Sequence, residues 1–117
     1  MPPDDWDLAA GDLVLVQLAP IRGSEQDGLR PALVVSAAQM HAFSRRAIVC
    51  PITRNPNPWP TKVFLPEGLA AEGAVLCDQI RAIDRRERIL RKLGPAPPET
   101  LSLVRAKIAA LLAIDID

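Results

Sequence analysis

Aromatic side chains are scarce in this chain of 117 residues: two Trp, two Phe and no Tyr, 3% in all. A core built from stacked rings is excluded, and the large side chains of the interior must be aliphatic. There is one histidine, His41, and there are two cysteines, Cys50 and Cys77, 27 positions apart. With no CxxC spacing and so few ligands, a metal site is not expected, and the two thiols are expected buried and reduced. The longest unbroken apolar run, Ile108 to Ile114, has seven residues, against the ~20 that a membrane-spanning helix requires. The first residues, Met-Pro-Pro-Asp-Asp-Trp-Asp, are acidic, where an export signal is basic and then apolar. A cytoplasmic protein with no membrane association is the expectation.

Proline is the residue in excess, with 12 in the chain, about twice the usual 5%. It interrupts helix interiors and central strands, so short elements are predicted rather than a helical bundle. Apolar residues make up 49%, which excludes disorder throughout. The length suits one domain, placed at residues 11–114 between an acidic N-terminal tail, 1–10, and a short C-terminal tail, 115–117.

The zero net charge hides an uneven distribution. Four acids (Asp4, Asp5, Asp7, Asp12) stand among the first twelve residues with no base, and Asp115 and Asp117 close the chain. The interval 13–114 therefore carries a balance of +6, with six bases between Arg81 and Lys92. Such a patch suits a polyanionic partner, or simply a solvated face.

Period-two and β-branched runs predict strands at Asp12–Leu18, Pro31–Ser36, Ala47–Ile52 and Thr61–Leu65. A long strand that bends is predicted over Ala74–Ile83, and a last short one over Arg88–Leu93, closed by Gly94. Residues 19–29 read as a polar loop, Ala37–Phe43 as a helical turn, and Asn55-Pro-Asn-Pro-Trp-Pro60 as a stiff loop. The period then changes. Leu101, Val104, Ile108, Leu111 and Leu112 make one apolar stripe on a helix. Pro97 and Pro98 suit its first turn, Glu99 its positive end, and fraying is expected after about Ala113. The pattern as a whole predicts a mainly β protein: a small, strongly bent antiparallel sheet or open barrel with one C-terminal amphipathic helix.

Five fragments in order resemble the MazF/PemK family of toxin endoribonucleases. They are Gly11-Asp-Leu-Val14, Pro20-Ile-Arg-Gly-Ser-Glu-Gln26, Gly28-Leu-Arg-Pro-Ala-Leu-Val-Val35, Cys50-Pro-Ile-Thr53 and Cys77-Asp-Gln-Ile-Arg-Ala-Ile-Asp84. The resemblance runs from Gly11 to the C-terminal helix. It implies an SH3-like barrel of the CcdB–MazF type, a homodimer, metal-independent cleavage of single-stranded RNA, and neutralisation by a MazE-like antitoxin peptide. No cofactor is implied. Two departures stand out. Leu29 occupies the place where some members carry histidine before the arginine, and the loop 19–29 lacks the histidine of PemK-type members.

Metal-free RNA cleavage uses the substrate's own 2′-hydroxyl as nucleophile and leaves a 2′,3′-cyclic phosphate and a 5′-hydroxyl. The protein must take a proton, give one to the leaving oxygen and stabilise charge on the phosphoryl group. Arg30 matches the family's phosphate-binding arginine, and its planar fork fits phosphate oxygens. Thr53 matches the family's threonine, a hydroxyl donor to the same phosphate. Glu25 is the candidate base, with Arg81 and Asp84 the alternative acid/base pair implied by the PemK branch. Arg22, Gln26 and Gln79 suit base edges, Trp59 suits stacking, and Arg54 and Lys62 suit phosphates. His41 is expected in a surface turn away from these motifs. Two rival readings remain: a poison of DNA gyrase on the same fold, and a silent RNA-binding relative. The first relies on a terminal Trp-Gly-Ile, whereas this chain ends Ala-Ile-Asp-Ile-Asp.

Overall fold

The computed structural model describes residues 7–18 and 28–115. Seven strands form one bent sheet in which every pairing is antiparallel. They are β1 (Asp12–Gln17), β2 (Leu29–Val34), β3 (Arg46–Thr53), β4 (Lys62–Phe64), β5 (Ala74–Leu76), β6 (Arg81–Asp84) and β7 (Ile89–Pro95). Three helices complete the fold: α1 (Ala38–His41), α2 (Arg85–Arg88) and α3 (Pro98–Leu111). The order across the sheet is β4-β5-β3-β2-β1-β7, with β6 also on β3. The sheet is barrel-like but does not close.

Both faces of the sheet are buried, which is why β1 reads as an almost continuous apolar run. One face gathers Leu13, Leu33, Cys50, Ile52, Val63 and Val75, with Val104, Leu101 and Ile108 of α3 packed on it. The other gathers Val14, Val16, Ala32, Val34, Ala47 and Val49 with Leu8, Ile83 and Ile89. The two cysteines are free and buried in the first layer. Burial pushes the thiol of Cys50 up to about 12, helped by neighbouring Cys77 and Asp78, and that of Cys77 up to about 11. Both stay protonated at neutral pH, as inert core thiols do.

Several expectations are corrected. The predicted strand over Ala74–Ile83 is broken by a 3₁₀ turn, Cys77–Gln79. The break lets β5 and β6 follow one another along the same edge of β3, on Ile52–Thr53 and on Arg46–Val49. The last strand starts at Ile89 and runs through Gly94 to Pro95, while Arg88 ends the short helix α2. Prolines do enter central strands. Pro51 falls in the gap between the segments of β3 held by β6 and by β5, and Pro31 just precedes the first β2–β3 pair. At both places no ladder partner is waiting for the missing N–H. On α3, Leu111 and Leu112 are exposed, so the buried stripe stops at Ile108–Ala109. The helix ends at Leu111 and the chain reverses at Ala113, whose φ is +58°.

His41 is buried rather than in a surface turn. Its Nδ1–H donates to the Leu8 carbonyl at 2.9 Å, and its Nε2 lies 2.6 Å from Ser36 Oγ. That hydroxyl also accepts the Ile48 N–H at 2.9 Å. Arg85, likewise buried, donates to the carbonyls of His41 and Ser44 at 3.0 and 2.7 Å. These side chains tie the segment before β1, the α1 turn and α2 into one body. His41→Ala strands the Leu8 carbonyl and the Ser36 hydroxyl, and urea unfolding is expected to show a loss of ~1–3 kcal/mol.

Asp84 caps α2. Its carboxylate accepts the N–H groups of Arg86 and Glu87 at 2.9 and 3.0 Å and pairs with Arg45 at 3.0 Å. The Glu87 amide first, and then the Arg45 guanidinium, hold this carboxyl below its usual range. A lowered folded-state pKa stabilises the fold above the unfolded value and is lost as pH falls through the folded one. Asp84→Ala is therefore expected to cost about 1 kcal/mol at pH 7. Denaturation repeated at successively lower pH should show that deficit shrinking below the ordinary aspartate range.

Candidate active site

The site begins where the β2–β3 ladder ends. Its pairs are Val34↔Val49, Leu33↔Cys50 and Ala32↔Pro51. Arg30 and Thr53 each lie two residues beyond the last pair, Arg30 before Ala32 on β2 and Thr53 after Pro51 on β3. Pro31 has no N–H to extend the ladder, so the strand ends beyond it are unzipped and border an open cleft of about 790 Å³. Arg30 and Thr53 both line it, with Arg54, Arg91 and Glu72 around an apolar floor that includes Leu15, Leu29, Ile52 and Leu93.

Three arginines against one glutamate make this cleft an anion site by charge. Arg30 is half-buried between β1 and the cleft, opposite Val16 of β1, while Arg54 and Arg91 are exposed. Thr53 Oγ1 accepts the Asn55 N–H at 3.2 Å. That bond occupies a lone pair and leaves the hydroxyl proton available to donate. A turn-forming threonine and an anion donor are thus the same residue. Gly73 sets its position from behind. At φ +122°, a Cβ on Gly73 would fall 2.0 Å from the Thr53 carbonyl oxygen.

The other candidates divide between two further depressions and the residues outside the description. Arg22, Glu25 and Gln26 lie outside the described residues. Trp59, Lys62 and Gln79 line a second depression of about 360 Å³ with Asn55, Asn57, Thr61 and Asp78. Trp59 is 64% exposed, so within this chain it latches nothing. Lys62 donates Nζ–H to the carbonyls of Asn55 and Asn57 at 3.0 and 2.6 Å, which braces the proline-rich loop. Arg81 and Asp84 line a third cleft, with Gln17, Arg46, Glu87 and Arg88. They do not join Arg30 and Thr53, and the Asp84 carboxylate is engaged by α2 and Arg45.

Two cleft residues escaped the sequence reading. Arg91 lay within a run of bases that gave no reason to single it out, and Glu72 sits in an unpatterned loop. Among the described residues, no three His, Cys, Asp or Glu side chains come together as metal ligands. The Gly73 contact makes a local prediction. Gly73→Ala forces a side chain into the left-handed region and against Thr53, so it should cost more than about 1 kcal/mol. NMR should show the amide signals of Thr53 and Arg54 shifted most.

Comparisons with known proteins agree with this architecture. The endoribonuclease toxin MazF of Escherichia coli (strain K12) is 37% identical over 102 residues, 87% of this chain and 91% of that protein. Endoribonuclease PemK of Escherichia coli is 33% identical over 110 residues, covering 91% and 83% of the two chains. MazF of Deinococcus radiodurans, solved by crystallography, superposes with a TM-score of 0.80 at 37% identity, over 94% of this chain and all of that one. The same organism's MazF crystallised with MazE superposes at 0.79 and 33% identity, over 95% of this chain and all of that one. The family model for the PemK-like, MazF-like toxin of type II toxin–antitoxin systems matches residues 9–112, and the chain belongs to that family.

Proposed function

We propose that this protein is a toxin endoribonuclease of the cytoplasm that cleaves single-stranded messenger RNA by 2′-hydroxyl attack, without a metal ion. It thereby inhibits translation and is neutralised by a MazE-like antitoxin. The observation that carries the reading is that Arg30 and Thr53, from the ends of two neighbouring strands, line one cleft. A guanidinium fork and a hydroxyl donor so placed can hold one phosphodiester while negative charge builds on it. Arg54 and Arg91 extend the positive field along the strand, so binding weakens with salt.

The proton from the 2′-hydroxyl goes to a carboxylate. Glu25 has that role in our reading, and Glu72 is the carboxylate present among the described lining residues of the cleft. A homodimer sets two such clefts in one particle. An acidic, partly unfolded antitoxin segment is the partner whose charge fits the arginine-lined surface. No helix among the described residues is long and apolar enough to cross a membrane.

The test incubates the pure protein with a long single-stranded RNA in EDTA. Cleavage is expected with 2′,3′-cyclic phosphate ends, and Arg30→Ala and Thr53→Ala are expected to lower kcat by ~10²–10³ each, as loss of an oxyanion donor does. Chelator-sensitive cutting, or variants as active as the parent, overturns the mechanism. One deoxyribose at the cut should abolish cleavage there. Of Glu25→Gln and Glu72→Gln, the one that loses the ascending limb of the pH–rate profile identifies the base.

A further inference from the structure

Beside the cleft lies the second depression, and its chemistry is of a different kind. Its lining side chains carry an indole (Trp59), two asparagine amides (Asn55, Asn57), a glutamine amide (Gln79) and a carboxylate (Asp78). Their formal charge cancels between Lys62 and Asp78, so a phosphate has little reason to stop here. The volume of about 360 Å³ suits a single flat ring. We propose that this depression is a base pocket that holds one unpaired nucleobase adjacent to the scissile phosphate and selects guanine. The proposal rests on the RNA-cleaving reading given above.

Four observations support it. Trp59 stands 64% exposed in a chain with only four aromatic residues, on a segment stiffened by Pro56, Pro58 and Pro60. The loop is braced from within, by Lys62 on two carbonyls and by the Asn57 N–H on Asn55 Oδ1 at 2.9 Å. The stacking surface is therefore held in place before any ligand arrives, which removes much of the ordering cost of binding. Asp78 and Gln79 project from the 3₁₀ turn as exposed residues, and among the described residues no side chain or backbone N–H engages the Asp78 carboxylate. Finally, Thr61, whose buried Oγ1 has no hydrogen-bond partner among the described residues, lines the same depression.

The ionised carboxylate makes the choice of base. It only accepts hydrogen bonds, and guanine alone offers two adjacent donors, N1–H and N2–H₂, to its two oxygens. Cytosine and adenine offer one amino group beside an acceptor nitrogen. Uracil offers a single N3–H between two carbonyls that the carboxylate repels. Trp59 supplies stacking that any base accepts, so the aromatic ring gives affinity and Asp78 gives selection. The pocket is next to the cut because Asn55 follows Thr53 by two residues, a reach of at most ~7 Å of chain.

The experiment maps cut positions on a random-sequence RNA for the parent protein, Asp78→Asn and Trp59→Ala. The parent should show guanine enriched at one fixed position within two nucleotides of the cut. Asp78→Asn should lower that preference by roughly 10- to 100-fold, the worth of a bidentate base contact. Trp59→Ala should weaken cutting about 5- to 150-fold with the preferred base unchanged. No preference near the cut, or a preference untouched by Asp78→Asn, overturns the pocket. If the catalytic reading fails instead, so that no RNA is cut or Arg30→Ala cuts normally, a second measurement still decides. In a Trp6→Phe background, quenching of Trp59 fluorescence by short deoxy-substituted oligonucleotides should require at least 10-fold less of the guanine-bearing one than of its uracil counterpart. Equal quenching, or quenching by protein concentration alone, sinks the proposal.

Discussion

The candidate active site depends on where the hydrogen-bonded ladder between β2 and β3 stops. Ala32 and Pro51 form its last pair, and Arg30 and Thr53 lie beyond it, where both line the cleft. Continued pairing would bury the strand ends against each other. A proline at position 31 suits a ladder that stops there, because it keeps extended backbone while removing one donor. The Gly73 backbone against the Thr53 carbonyl then fixes the far wall. A carbonyl approached so closely tolerates no side chain, so a glycine on β5's leading edge belongs to the geometry of the site.

The rest of the molecule makes that arrangement rigid. Two aliphatic layers on opposite faces of one sheet leave little freedom for β2 or β3 to slide, since a slip of one residue exchanges the two layers. The buried polar side chains work on the fold. His41 and Ser36 hold the segment at Leu8, Arg85 holds the carbonyls of the α1 turn, and Asp84 caps α2. At the cleft itself the cations are the half-buried Arg30 and the exposed Arg54 and Arg91. The cysteines, held protonated in the core, add no nucleophile.

How much of this was legible beforehand differs from element to element. β1, β3 and α3 were readable to within a residue or two, because burial on one face or two leaves a periodic mark on the chain. The 3₁₀ turn at Cys77–Gln79 was not, since Val75, Cys77 and Ile83 are as apolar as a strand and the break serves only to hand β3 from β5 to β6. Helix α2 was hidden in a run of arginines whose periodicity is charged rather than apolar. His41 read as a surface residue because a four-residue helix has no stripe of its own; its burial comes from Leu8, 33 positions away. Arg30 and Thr53 were singled out by the family motifs around them, whereas Arg91 and Glu72 had no local pattern to mark them.

By itself the sequence determined which stretches were apolar enough to become strands, that prolines would keep them short, and that the basic surplus lay between the acidic ends. Those are properties of neighbouring residues, and neighbours in the chain are enough to establish them. Only the folded sheet decided that positions 30 and 53 line one cleft, that Arg81 and Asp84 belong to another, and that Trp59 borders a polar hollow with Asp78. Each of these depends on strand register, which is settled by the simultaneous burial of side chains far apart in the chain.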